Sequence, residues 1–131
     1  EIRSRGLGDV YKRQNQIINK IHESSLKAGI AINPETPISE LKEYIKKIDL
    51  ICLMGVNPGF AGQKFIESTT ERLKELKQLI ISSKSNALIE VDGGVNKDNF
   101  QDLKSNGADV LVAGSYIFNS PDYNIAIDAL K

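Results

Sequence analysis

The segment Asn57-Pro58-Gly59-Phe60-Ala61-Gly62-Gln63 follows directly on an apolar run over residues 49–56. Glycines at the end of a strand let bare backbone N–H groups come close to an anion. Two more turns of this kind, Asp92-Gly93-Gly94 and Gly114-Ser115, close later apolar runs. Taken singly, each is a tight connection that needs glycine for its geometry. Gathered on one edge of a sheet, the three would form a phosphate cradle of backbone N–H donors and the Ser115 hydroxyl. Phe60 would wall that pocket or pack beneath it. Asp92, at a strand end, is either a carboxylate for acid–base work or a cap for the Gly93-Gly94 turn.

The remaining polar candidates offer less. Asp49 and Asp109 stand at the beginnings of apolar runs, which places them at the opposite end of the strands from the glycine turns. Asp98 and Asp102 fall on a helical segment and read as solvated. His22, the single histidine, precedes the first strand and has no second His or Cys at ligand spacing, so it reads as a surface or packing residue. Cys52 is the single cysteine; placed mid-strand, it reads as a small buried hydrophobe with no internal disulfide.

These groups must be positioned by alternating strands and helices. Ile17, Ile18, Ile21 and Leu26 form a short helical stripe before the run at 28–32. Thr36 is placed to cap a helix with Pro37 at its first position, and Ile38, Leu41, Ile45 and Ile48 follow at helical spacing. Ser68 and Glu71 match a capping box ahead of the stripe Leu73, Leu76, Leu79 and Ile80. A strand at 87–91 follows. Asn96 is placed to cap a helix carrying Phe100 and Leu103, which Gly107 ends. The last strand falls at 110–113 and a closing helix at 123–130. The strands are continuous apolar runs, the pattern of a parallel sheet covered on both faces. Four βα units give an α/β fold, as an open four-stranded sheet or as half of an eightfold barrel, which typically needs about 250 residues.

Composition bounds the class. The 131 residues suffice for one domain, and 17 basic against 17 acidic residues favour neither nucleic acid nor an anionic membrane as partner. Forty per cent apolar residues without a run of eighteen indicate a soluble globular chain, with the cytoplasm as expected compartment. Residues 1–14 stand apart: glycine-punctuated, aperiodic, with four Arg or Lys. They read as a mobile tail, a basic arm or, the preferred reading, a translated sequencing adapter joined to a chain truncated before Asn15.

The strings NPGFAGQKF, IEVDGGVN and GADVLVAGSYIF, in that order and spacing, resemble the C-terminal half of the ribulose-phosphate 3-epimerase family. AGIAINPETP is similar to that family's fifth strand and the turn after it. The likeness runs from about Asn15 to Lys131. It implies the C-terminal half of a (β/α)8 TIM barrel of the ribulose-phosphate-binding type, strands five to eight, with residues 1–14 a non-homologous tail. The implied activity is an isomerase of carbohydrate metabolism, in the pentose phosphate pathway. It interconverts D-ribulose 5-phosphate and D-xylulose 5-phosphate by deprotonation and reprotonation at C3 through an enediolate.

On this resemblance Asp92 is a catalytic acid–base group, a substrate contact and a metal ligand. Gly59, Phe60, Ala61, Gly62, Gly93, Gly94, Gly114 and Ser115 hold substrate and phosphate. Met54 matches a methionine that lines the family's pocket; as a bare residue it is equally core filler. The implied cofactor is a divalent metal ion, Zn²⁺ ahead of Fe, Mn or Co, which disperses the charge of the enediolate. Two histidine ligands and a second catalytic aspartate of the family have no counterpart here. The chain alone is therefore expected to be inactive and to hold no metal tightly, and the full-length protein to be a homo-oligomer acting on a phosphorylated ketose.

Three other readings stand beside this one. D-Allulose-6-phosphate 3-epimerases share NPETP and PGFAGQ, and Gly55 and Ala61 stand where the pentose enzymes usually carry Thr and Gly. A half-barrel that binds sugar phosphates without turnover, pairing with itself, is a reading of another class. Hexulose-phosphate synthases are the third, against which DGG together with NPGFAGQ favours the epimerases.

Overall fold

The computed structural model of the chain describes residues 2–131, with side chains from Lys12 onward. Helix α1 spans Ile2–Glu23, so the helical backbone begins well upstream of the stripe at Ile17. Four strands follow: β1 (Gly29–Ile32), β2 (Leu50–Met54), β3 (Leu88–Asp92) and β4 (Val110–Val112). Between and after them lie a 3-10 helix (Ile38–Glu43), α2 (Thr69–Ser83), α3 (Phe100–Ser105), α4 (Gly114–Phe118) and α5 (Tyr123–Asp128). None of the described helices is long and apolar enough to cross a membrane.

All strand pairs are parallel, and their order in the sheet is β1-β2-β3-β4. A doubly wound sheet reverses its strand order at a switch point; this one steps the same way at each crossover, as a (β/α)8 barrel does. With right-handed crossovers, that order puts the connecting helices on one face. Burial agrees. Ile51, Leu53, Ile89 and Val91 are wholly buried and belong to one cluster with Ile38, Leu41 and Ile45, with Leu73, Leu76 and Ile80 of α2, and with Phe100 and Leu103 of α3. Truncating any one of the fully buried leucines to alanine costs roughly 2–5 kcal/mol.

The other face is different. Leu50, Cys52 and Met54 are half-buried, Leu88 and Val110 are exposed, and Glu90 and Asp92 are half-buried. The expectation of a sheet covered on both faces therefore holds for one face only. Continuous apolar runs cannot separate a face packed under helices from a face that points into a barrel, because both are apolar. Cys52 accordingly is half-buried on the open face rather than a core residue.

Local capping also departs from expectation. Thr36 donates to Asn33 Oδ1 (2.8 Å) instead of capping, and the helix expected after it is a six-residue 3-10 turn with Pro37 at its N-cap. Its apolar residues Ile38, Leu41, Ile45 and Ile48 are buried all the same. Ser68 has a helical backbone and makes no side-chain cap, while Glu71 pairs with Lys74 at 3.0 Å, so no capping box forms. Asn96 does serve the turn into α3: its Oδ1 accepts from the Asp98 and Asn99 N–H groups (2.8 and 3.2 Å).

Candidate active site

The parallel register aligns Met54, Asp92 and Val112 in one row at the C-terminal edge of the open face. The connections that leave this edge are the three glycine turns. The structure brings all ten candidate residues to one cavity of about 980 Å³: Met54, Gly59, Phe60, Ala61, Gly62, Asp92, Gly93, Gly94, Gly114 and Ser115. In open α/β sheets and barrels alike, ligands bind at this end of the strands.

The first two turns are locked together at their roots. The Gly55 N–H donates to the Asp92 carbonyl (2.7 Å), and the Ile66 N–H donates to the Gly55 carbonyl (2.8 Å). A Cβ on Gly55 would strike the Gly93 carbonyl oxygen. A Cβ on Gly94 would lie 2.7 Å from Phe65 Cα, and one on Gly93 would lie 2.6 Å from Val56 Cγ2. Asn99 Nδ2 donates to the Gly94 carbonyl (2.9 Å), tying the second turn to α3. The tip of the first turn is held by its own side chain: Gln63 Nε2 donates to the carbonyls of Asn57 (2.6 Å) and Phe60 (3.0 Å). Phe60 itself is 74% exposed, so it walls the cavity rather than packing under it.

The Asp92 carboxylate is half-buried in this cavity and, among the described residues, has no hydrogen-bond partner. It does not cap the Gly93-Gly94 turn; its oxygens are free for a ligand. Gly114 and Ser115 open α4, and the first N–H groups of a helix have no intrahelical partner. A short extra helix after the last strand is a frequent phosphate site of barrels, shared with the preceding strand's loop. Cys52 and Glu90 pair one row deeper on the same face. Partial burial, reinforced by the neighbouring Glu90 carboxylate, pushes the Cys52 thiol up to about 12.

The other aspartates considered from the sequence lie elsewhere, and two of them have structural work. Asp49 Oδ2 accepts from the Ala28 N–H (2.8 Å) and faces His22 Nε2 (3.1 Å), and Asp109 Oδ2 accepts from the Ile89 N–H (2.9 Å). Each aspartate stands just before its own strand and ties it to the preceding strand of the sheet. Asp98 and Asp102 are exposed. The lining residues that the sequence did not single out as site residues include Lys64, Glu67, Asn96, Val112, Tyr116, Asn119 and Ser120. Distance in sequence from a glycine turn hid Asn119 and Ser120, which reach the cavity through the fold of α4. Among the described residues no three His, Cys, Asp or Glu come together as a metal-ligand group.

The sequence model of the ribulose-phosphate 3 epimerase family matches residues 9–118 of this chain. The chain belongs to the ribulose-phosphate 3-epimerase family. Its relatives within the family include the ribulose-phosphate 3-epimerase of Serratia marcescens, 48% identical over 109 residues, which are 83% of this chain and 52% of that protein. The ribulose-phosphate 3-epimerase of Escherichia coli (strain K12) is 44% identical over 117 residues, 89% of this chain and 52% of that protein. That of Helicobacter pylori (strain J99) is 41% identical over 120 residues, 92% of this chain and 55% of that protein. The chain thus spans about half the length of the family members it matches. The family fold is a TIM barrel, and the four sequential parallel βα units are the corresponding half-barrel arrangement.

Proposed function

We propose that this chain supplies one side of the active site of a ribulose-phosphate 3-epimerase, interconverting D-ribulose 5-phosphate and D-xylulose 5-phosphate. The observation that carries this reading is the row Met54–Asp92–Val112 opening into a cavity shared by all three glycine turns. Epimerisation beside a ketone removes a proton from one face of C3 and returns one to the other. It needs an acid–base group on each face and a means of stabilising the enediolate between them.

Asp92 is the group for one face. Held at a strand end by main-chain bonds and without a protein partner for its oxygens, it takes the C3 proton from its face as a carboxylate in one direction of the reaction. In the reverse direction it delivers a proton to that face as an acid, the opposite face being served by a second group. The Gly93-Gly94 and Gly114-Ser115 turns hold the phosphate, and the loop from Gly59 to Gly62 covers the sugar. Glu67, the other carboxylate on the lining, is exposed and comes from the loop before α2, without a strand to fix it. Among the described residues no second strand-end carboxylate lines the cavity to act as the other acid–base group.

A divalent cation belongs to the family's chemistry; when bound, it disperses the charge of the enediolate, and we assign Zn²⁺ ahead of Fe, Mn or Co. Among the described residues Asp92 is the one strand-end carboxylate on the lining, and a zinc site takes three or four protein ligands. The described residues do not make that site by themselves.

The test is a chimera in which residues 15–131 replace the matching half of the Escherichia coli relative. It is expected to turn over ribulose 5-phosphate, and Asp92→Asn is expected to lower kcat by about 10²–10⁴ without altering the fold. The isolated chain is expected to exchange no C3 proton with solvent. A folded chimera that acts on allulose 6-phosphate but not on ribulose 5-phosphate would overturn the substrate assignment. An undiminished Asp92→Asn variant would overturn the role of that residue.

A further inference from the structure

The loop between β2 and α2 inverts the usual placement of side chains. From Asn57 to Lys64 every residue is exposed except Gln63, which is half-buried. Phe60, the largest apolar side chain of the segment, turns outward while the polar Gln63 turns in. Glutamine is a mostly exposed residue type, so an inward one marks a task for its amide.

That task is visible in the hydrogen bonds. Gln63 Nε2 donates to the Asn57 carbonyl at 2.6 Å and to the Phe60 carbonyl at 3.0 Å. A primary amide has two N–H donors, and both are used. Among the described residues these are the only hydrogen bonds made by any group from Asn57 to Phe65. The main-chain N–H groups from Gly59 to Phe65 therefore have no partner among the described residues, although the loop lines the cavity. Gly59 (φ +147°) and Gly62 (φ +79°), on either side of Phe60, add conformational freedom to the same stretch. Ordering such a segment costs backbone entropy at every residue, and only the Gln63 amide is in place to offset it.

We propose that Gln63 is a positioning residue, whose side-chain amide pre-forms the loop from Asn57 to Gln63 for the sugar phosphate before it binds. This rests on the proposed role of the loop as the cover of the sugar. The amide grips carbonyls alone, so the N–H groups of the loop stay out of internal bonds and remain available to a ligand. Binding then does not carry the ordering entropy of the loop. The acid–base geometry is set elsewhere. Asp92 is held at the roots of the turns, where the Gly55 N–H meets the Asp92 carbonyl at 2.7 Å, and Gln63 makes no hydrogen bond there. Loss of the brace should therefore weaken binding and leave the chemical step alone, the pattern of uniform binding.

Two variants separate the amide from the bulk of its side chain. Gln63→Glu keeps the length and shape but, as a carboxylate, has no N–H to donate and repels both carbonyls. Gln63→Ala removes the group altogether. Gln63 lies outside the buried cluster, so both variants should keep the circular dichroism of the parent. Backbone amide relaxation of the 131-residue chain, without ligand, reads the loop directly. Order parameters of about 0.85 from Gly59 to Lys64 in the parent should fall below about 0.6 in both variants. In the chimera described above, either variant should raise KM for ribulose 5-phosphate by roughly 10- to 100-fold, the loss of two hydrogen bonds, with kcat within about twofold. Loop order retained in Gln63→Glu, or a fall in kcat at unchanged KM, would overturn the proposal. An active chimera whose KM ignores Gln63 would overturn it alone, whereas a folded chimera without turnover would overturn the proposed function and this role with it.

Discussion

Replacing Gly94 by alanine puts a methyl group 2.7 Å from Phe65 Cα and 2.8 Å from Phe65 N and Cβ. Those atoms cannot swing aside as a side-chain end would, because the next residue's N–H is bonded to the Gly55 carbonyl at 2.8 Å. Two costs add. Gly94 has φ +70°, a left-handed conformation that costs alanine about 1–2 kcal/mol. Forcing a methyl group into a closed contact costs roughly a further 1–3 kcal/mol. Gly62 provides the control: its φ is +79°, but nothing lies within 4 Å of the added Cβ. Gly62→Ala should therefore show the backbone cost alone. Urea denaturation at one fixed protein concentration measures both, and unchanged slopes would confirm that only stability has moved. The expected gap between the two variants is about 1–3 kcal/mol, or roughly 4 °C in Tm per kcal/mol. Equal destabilisation would refute the claim that contact with Phe65 locks the two turns.

Three further outcomes are expected. The Ala28 N–H, and after it the hydrogen bond from His22, hold the Asp49 carboxyl below its ordinary 3.8. Its contribution is complete above that value and is lost as the pH falls through the depressed one. The stability gap between the parent chain and Asp49→Asn should shrink on acidification, and a gap that persists in acid would contradict the linkage. Cys52, raised to about 12 from 9.0, should react with iodoacetamide at pH 8 about a thousandfold more slowly than a free thiol, from its thiolate fraction alone. Glu90→Gln should recover only part of that rate, because burial is the larger cause; full recovery would assign the shift to Glu90. Asp122 caps α5 by accepting from the Asn124 and Ile125 N–H groups (2.9 and 3.2 Å). Asp122→Ala should cost about 1 kcal/mol in thermal unfolding, and no loss would mean that the cap is dispensable.

The four strands and the residues that converge on the cavity were legible because apolar runs and glycine turns are local signals. Leu73, Leu76 and Ile80 were legible as the buried stripe of α2 for the same reason: their spacing repeats the helical period. The capping of Thr36 and Ser68 was not. Either hydroxyl can bond in several directions, and packing of the flanking segments decides which. The bare face of the sheet was hidden because burial under a helix and burial inside a barrel select the same residue types. Phe65 and Gly55 were missed as the clamp between two turns because close backbone approach leaves no trace in sequence beyond the glycine itself. Asn119 and Ser120 reach the cavity only through the path of α4, which has no periodic signature at five residues. The functional roles proposed for Asp92 and the glycine turns rest on the family resemblance and on convergence of these residues in one cavity; neither alone would have sufficed.

The interlock at Gly55, Phe65, Gly93 and Gly94 also has a meaning for descent. The roots of the two turns meet main chain to main chain, so a side chain gained at one cannot be accommodated by a change at the other. Both roots are therefore held fixed. Gly59 and Gly62, by contrast, border open space. Mutation can therefore reshape the rim of the cavity at Ala61 and its neighbours without disturbing the position of Asp92. If the proposed roles hold, a lineage with this architecture can explore new sugar lengths at the loop tip while the acid–base geometry proposed for Asp92 is inherited unchanged.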